Sequence, residues 1–373
     1  MQNPFTIGIT EGSNFCNREK ELRELKNYAL NQVNIVLYSP RRYGKSSLTI
    51  RLLSELSKED FLTVYLDLFP ISSKEDFIYR LATGIFKAIG KGVYKRTFFE
   101  NISHLFRSIV PTVEYSAEGI SFSVKFNKDE KLEILLEDLF QGTYKYLKEK
   151  ESKAIIALDE FQEITELNES KYIEGIIRSF AQFHKEIVFF FVGSRRRLLL
   201  DMFTNKNRPF YKSSFLYPLK EIPEEEFMSY IIKKFEDSKK ICPKDTTKYI
   251  FEAVQGYPYY VQKLSSLAWD ITEKVCEIET ARKAYEILIK MESIDFEGVW
   301  SNLALGQKAL LKAIAFEPTS SPFTKEYLRK YGLSLGGAQK AIKALLLKDL
   351  IEKTDSKIYR LTDPVMADWL TSV

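Results

Sequence analysis

Eight consecutive residues near the N-terminus have the types and spacing needed to hold a chain of phosphates: Ser39-Pro40-Arg41-Arg42-Tyr43-Gly44-Lys45-Ser46. A phosphate loop asks for a glycine, four residues, and then Gly-Lys-Ser/Thr between a strand and a helix. Here "NIVLYS" reads as the strand and "SLTIRLLSEL" as the helix. In such a loop the backbone N–H groups and the helix N-terminus wrap the phosphates. Lys45 would neutralise the β- and γ-phosphate charge, and the Ser46 hydroxyl would ligate Mg²⁺. The expected ligand is therefore ATP or ADP with Mg²⁺, held by Pro40, Arg41, Arg42, Tyr43, Gly44, Lys45, Ser46 and Ser47. Gly44 lets the backbone approach closely. Ser39 stands where the pattern has its first glycine, so that position must tolerate a side chain, and a left-handed backbone there would carry a cost.

A second constellation lies farther on. Four apolar residues, Ile155 to Leu158, end in Asp159-Glu160. Asp159 at a strand's carboxyl end would hold the metal through water or through the Ser46 shell, and Glu160 would polarise an attacking water as general base. The bland alternative is a helix cap beside a solvated charge. With Glu160 present, hydrolysis rather than binding alone is the expectation. The next apolar run, "IVFFFVGS", ends in Gly193-Ser194, and Ser194 is placed to reach the γ-phosphate water; its alternative is a helix N-cap. Arg195, Arg196 and Arg197 follow as a basic turn.

These residues need a scaffold. "NIVLYS", "FLTVYLDL", "AIIALDE" and "IVFFFVGS" are short runs rich in β-branched and aromatic residues with helical patterns between them, the rhythm of a parallel α/β sheet. An excursion between the second and third contains an alternating segment from Glu118 and a helix from about Lys128 to Lys150. After Pro218 strand signals fade and four amphipathic helices follow. From about Leu303 three shorter helices and two extended runs around a polar turn have the order of a winged helix-turn-helix. The expected domains are 1–217, an AAA+-like phosphate-loop domain; 218–298, a helical lid; and 299–373, a winged helix. At 373 residues, two or three domains are expected on length alone.

Composition excludes several classes. With 45% apolar and 28% charged residues and no long unbroken apolar run, no membrane span is expected. The N-terminal residues lack a basic start followed by an apolar core, so a cytoplasmic location is expected. Cys16, Cys242 and Cys276 are widely spaced, and with only two histidines neither a disulfide framework nor a zinc site is suggested. Residues 301–373 carry 11 Lys/Arg against 7 Asp/Glu, while the remaining 44 and 44 balance, a small bias towards an acidic partner such as DNA.

In order along the chain, "NFCNREKELREL" (from Asn14), "YSPRRYGKSSL", "LDEFQEI" (from Leu158), "VGS" (from Val192), "RPFYKS" (from Arg208), "GYPYYVQ" (from Gly256) and "YRLTDPVMADWL" (from Tyr359) resemble the archaeal ATPase family. That family is related to the STAND and Orc1/Cdc6-like AAA+ ATPases. The resemblance spans nearly the whole chain. It implies that Phe15 and Arg18 lie near an adenine and that Gly256-Tyr257-Pro258 opens a lid helix over the nucleotide; a core phenylalanine and an ordinary helix break are the plain alternatives. The family typically has Gly-Arg where Lys212-Ser213 stand here, so Arg208, Lys212 or the Arg195–Arg197 cluster would have to substitute for that arginine. Slow or partner-activated turnover is the implied consequence.

Three functions fit these readings. The leading one is a Mg²⁺-dependent ATPase switch, with ATP bound between the phosphate-loop and helical domains. The alternatives are a DNA-binding regulator with a structural nucleotide and negligible turnover, and a STAND-type signalling or assembly ATPase forming nucleotide-dependent homo-oligomers. Residues 299–373 would contact double-stranded DNA or a protein partner. On a recognition helix Ser334, Gln339, Lys340 and Lys343 would face DNA, and on a wing Lys353 and Lys357 would meet phosphate.

Overall fold

The computed structural model describes residues 2–8, 15–91, 102–116, 119–126, 131–354 and 356–372. Asn14, Glu118 and Lys128, which open three of the segments read above, lie outside the described residues. The chain divides into two compact units, one of Arg18–Ser39 and Lys45–Leu219, the other of Met1–Asn17, Pro40–Gly44 and Lys220–Val373.

The first unit is built on a five-stranded sheet of β1 (Ile35–Tyr38), β2 (Phe61–Asp67), β5 (Lys153–Asp159), β6 (Ile187–Gly193) and β7 (Phe215–Pro218). Its order is β2-β5-β6-β1-β7, and every pairing is parallel. Strand composition follows position. The central β6 is buried along its whole length, and β5 from its second residue on, as unbroken apolar runs covered on both faces must be. The edge strands β2 and β7 are only partly buried. Helices α1 (Glu19–Leu30), α2 (Lys45–Leu56), α3 (Lys74–Ile89), α4 (Leu132–Glu149), α5 (Ser170–Phe183) and α6 (Arg196–Thr204) belong to this unit. In α3 the side chains of Phe77, Ile78, Leu81, Ala82, Ile85, Phe86 and Ile89 form one buried stripe at helical spacing, and Ser73 caps its first turn by accepting from the Asp76 N–H at 3.2 Å.

The excursion before α4 is an antiparallel hairpin of β3 (Ile109–Ser116) and β4 (Gly119–Phe126), a sheet of its own. The alternating run expected from sequence is its second strand; the first, β3, and the four-residue β7 are strands that the sequence pattern does not show.

The second unit holds α7 (Glu224–Asp237), α8 (Lys244–Ala253), α9 (Pro258–Ile271), α10 (Ile278–Ser301), α11 (Leu305–Phe316), α12 (Lys325–Lys330), α13 (Leu335–Leu347), the hairpin β8 (Ile351–Lys353) with β9 (Tyr359–Leu361), and α14 (Pro364–Ser372). Elements α11 to α14 with the hairpin make the winged helix. Helices α7 to α10 and the winged helix share one apolar core that includes Tyr260, Leu288, Phe296, Leu310, Leu345 and Trp369. One element joins them: α10 runs on to Ser301, past the boundary expected at 298. Ser334 caps α13 by accepting from Gly337 N–H.

In the sheet unit, Phe191 of β6 is fully buried and its ring meets those of Phe161, Phe203 and Phe210 at centroid distances of 4.5, 5.1 and 5.0 Å. Phe191→Ala is expected to lower the unfolding free energy by about 3–5 kcal/mol, read by denaturant titration.

Candidate functional site

Parallel strands bring the carboxyl ends of β1, β5 and β6 to one edge of the sheet, and Lys45, Ser46, Asp159, Glu160 and Ser194 lie at or shortly after those ends. After β1 the chain turns through Ser39–Gly44 and starts α2 at Lys45. Lys45 is buried, and its Nζ donates to the Ser39 carbonyl at 3.2 Å. Ser39 does not take the left-handed backbone considered for it. That conformation falls on Arg42 (φ 63°) and Gly44 (φ 86°) instead. Glycine at 44 bears it without a steric cost; at Arg42 it is uncommon.

Ser46 Oγ donates to Asp159 Oδ2 at 2.5 Å, so the hydroxyl and the carboxylate expected to share a metal are in direct contact. Tyr65 from β2 donates to the same oxygen at 2.6 Å. The β2–β5 register sets Asp67 beside Asp159, and burial, followed by the nearby Asp159 and Glu160 charges, pushes the Asp67 carboxyl above its ordinary value. Among the described residues no group of three or more His, Cys, Asp or Glu could enclose a metal ion. A hydroxyl and one carboxylate suit Mg²⁺, which keeps waters and takes phosphate oxygens as its remaining ligands.

Glu160 stands in a left-handed conformation (φ 50°) immediately before a 3₁₀ turn that its side chain does not cap. Its Oε2 accepts from Ser194 Oγ at 2.9 Å and from Gln162 Nε2 at 2.5 Å. Ser194 is buried and precedes the N-cap of α6, which is Arg195, so its hydroxyl serves Glu160 rather than the helix. Backbone strain of this kind persists where surrounding bonds over-determine it.

The other predicted residues are placed as follows. Arg41 and Tyr43 belong to the helical unit: the Tyr257 hydroxyl donates to the Arg41 carbonyl at 2.5 Å, and the Tyr43 and Tyr257 rings meet edge-on at 4.9 Å. Pro40 is half-buried and Ser47 buried. Pro258 is the first residue of α9, where its missing N–H costs nothing. Arg18 is buried at the N-cap of α1 with its Nη1 2.9 Å from Glu21, and half-buried Phe15 falls in the helical unit. Of the substitutes for the missing family arginine, Arg208 lies 2.7 Å from the fully buried Glu174, whose carboxyl burial pushes up to about 7. Arg195 lies 3.6 Å from Glu163, and Lys212 stands over the Tyr211 ring. In the winged helix Gln339, Lys340, Lys343, Lys353 and Lys357 are all exposed.

Tyr65, Gln162 and Gly193 all lie within quoted segments, but their parts at the site show only in the structure. Only the matching strand ends "YLD" and "ALD" hinted at the first. Gln162 is buried, and a Cβ on Gly193 would lie 2.2 Å from its Oε1. Glycine in "VGS" therefore makes room for the amide that holds Glu160.

A phosphate loop and an acidic strand on a parallel sheet, with a polar residue ending the strand between them, define the P-loop ATPase fold. Residues 15–264 match the family described as an ATPase domain predominantly from Archaea, to which the chain belongs, and residues 294–372 match a probable winged helix domain. Two curated relatives are uncharacterised ATP-binding proteins of Methanocaldococcus jannaschii. One is 45% identical over 69 residues, 17% of this chain and 19% of the relative; the other is 37% identical over 68 residues, 17% and 20%. The chain thus matches about a fifth of the length of each. Among solved structures, a Walker-type ATPase of Pyrococcus abyssi superposes with a TM-score of 0.70 at 18% identity over 97% of both chains. The Aeropyrum pernix ORC2 protein does so at 0.61 and 15%, over 96% of this chain and 94% of that one. Both share the fold. Among the described residues no helix is long and apolar enough to cross a membrane.

Gly193→Ala is expected to cost about 1–3 kcal/mol of stability by overpacking against Gln162. Adding Gln162→Ala should relieve most of that cost, as denaturant titration of the single and double variants would show.

Proposed function

We propose that the protein binds ATP and ADP with Mg²⁺ and hydrolyses ATP as a nucleotide-driven switch. The observation that carries this reading is the pair of contacts at the sheet edge, Ser46 with Asp159 and Ser194 with Glu160. Bound beside Ser46 and Asp159, Mg²⁺ would neutralise charge on the phosphate oxygens. Lys45 adds its charge to the same oxygens, while Tyr65 fixes the Asp159 carboxylate. Glu160, oriented by Ser194 and Gln162, polarises the attacking water and accepts its proton. With Arg208 held by Glu174, turnover is slow unless a partner supplies an arginine, a contribution worth roughly 10³ or more in rate.

Glu160→Gln should keep ATP affinity while lowering steady-state turnover by about 10²-fold or more. Lys45→Ala should lose nucleotide binding in calorimetric titration. Equal phosphate release by Glu160→Gln and the wild type would remove the base assignment.

The exposed lysines of α13 and the wing favour duplex DNA as the partner of the winged helix. Phosphate anchoring by Lys340 and Lys343 would make binding fall with salt. Lys340→Ala with Lys343→Ala should flatten the slope of log affinity against log salt by about 2, near one per lost phosphate contact. An unchanged slope in the double variant would assign those lysines to solvent.

A further inference from the structure

The left-handed backbone at Arg42 needs an explanation, because an arginine has no side-chain bond to its own backbone that favours this conformation. A phosphate cradle does require such a conformation: successive right- and left-handed residues turn their N–H groups into one concave nest for an anion. Glycine meets that requirement at position 44, and an arginine meets it at 42.

What surrounds the Arg42 side chain is unusual for a loop residue. Its Nη1 lies 3.1 Å from Glu292 Oε2 and 3.4 Å from the Tyr260 hydroxyl, and its guanidinium carbon sits 4.4 Å above the centre of the Tyr259 ring. Arg42 keeps about two fifths of its side chain exposed, whereas Glu292, in the middle of α10, is 2% exposed. A buried carboxylate is costly without partners. Glu292 has two cationic partners, Lys263 on its other oxygen and Arg42 on this one, and the Tyr259 and Tyr260 hydroxyls donate to it at 3.4 and 3.5 Å. Burial alone would raise its pKa, yet Lys263 and Arg42 hold it below the ordinary carboxylate value. Tyr260 in turn donates to half-buried Asp363, just before α14, at 2.6 Å. The whole cluster belongs to the helical unit, to which Pro40–Gly44 also belong.

We propose that Glu292 is a positioning residue for the phosphate loop: by gripping the Arg42 guanidinium against Tyr259, it keeps residue 42 in the left-handed conformation that the cradle requires. The inference rests on the nucleotide-binding reading above. It gives the lid a task at the loop's backbone, separate from covering a base, and it makes Arg42 an anchor of the cradle.

The test is a double-mutant cycle read by calorimetric titration of the full chain with ADP and Mg²⁺. In the wild-type background Glu292→Ala is expected to weaken ADP binding by about tenfold, the scale of a lost left-handed preference. In an Arg42→Gly background, where glycine adopts that conformation unaided, the same substitution is expected to change affinity less than twofold. Glu292→Gln keeps the packing but not the charge, and serves if the alanine variant unfolds; its effect should likewise vanish in the Arg42→Gly background. Unaltered affinity in both Glu292 variants overturns the proposal, and so does an equal loss in both backgrounds, which a merely structural role would produce. Should the wild type itself fail to bind ADP, the nucleotide reading falls first and takes this inference with it.

Discussion

The parallel direction of β1, β5 and β6 is the constraint on which the site depends. A parallel sheet collects all its strand ends at one edge, so residues separated by more than a hundred positions in sequence meet there. Ser46 and Asp159 come within 2.5 Å only because β1 and β5 end together with β6 between them. The phenylalanine cluster under β6 and the buried runs of β5 secure that alignment. Each polar contact at the edge inherits its precision from apolar packing behind it.

The polar edge is dense, and its members restrain one another. Asp159 is fixed by Ser46 and Tyr65, and Glu160 by Ser194 and Gln162. Glu160 at this edge and Arg42 in the helical unit are both in left-handed conformations. Both stand where a side chain is needed for a contact, so glycine would relieve the backbone and lose the bond.

Much of this was legible in sequence because the physics is local. Apolar runs announced β1, β2, β5 and β6; the Gly-Lys-Ser and Asp-Glu groups announced the loop and the acidic strand; and the helix-helix-helix-hairpin order of the winged helix is present as read. Short elements were not legible: "FLYP" of β7 is four residues at a sheet edge, too brief for a period to show. Contacts set by tertiary placement were not legible either. Nothing near Tyr65 in sequence points to Asp159, and nothing near Glu292 points to Arg42. Ser39 drew attention as the position where the loop pattern breaks, yet the unusual backbone sits at Arg42, because the peptide path is decided by the loop as a whole. The boundary expected at residue 298 falls within α10, which continues to Ser301; the exposed apolar residues along that helix blur the stripe that marks its length.

One feature of the fold bears on modularity. The helical unit is not a contiguous stretch of chain, since it includes Met1–Asn17 and the loop tip Pro40–Gly44 along with Lys220–Val373. A winged helix is often thought of as a cassette that can be cut off and attached elsewhere. Here its core is continuous with that of helices α7 to α10, Asp363 accepts from Tyr260, and Arg41, Arg42 and Tyr43 of the segment 40–44 contact Tyr257, Tyr259, Tyr260 and Glu292. Recombination just before Lys220 would separate those three residues from their partners. The C-terminal half is therefore exchanged only together with residues 40–44, which ties the history of one to that of the other.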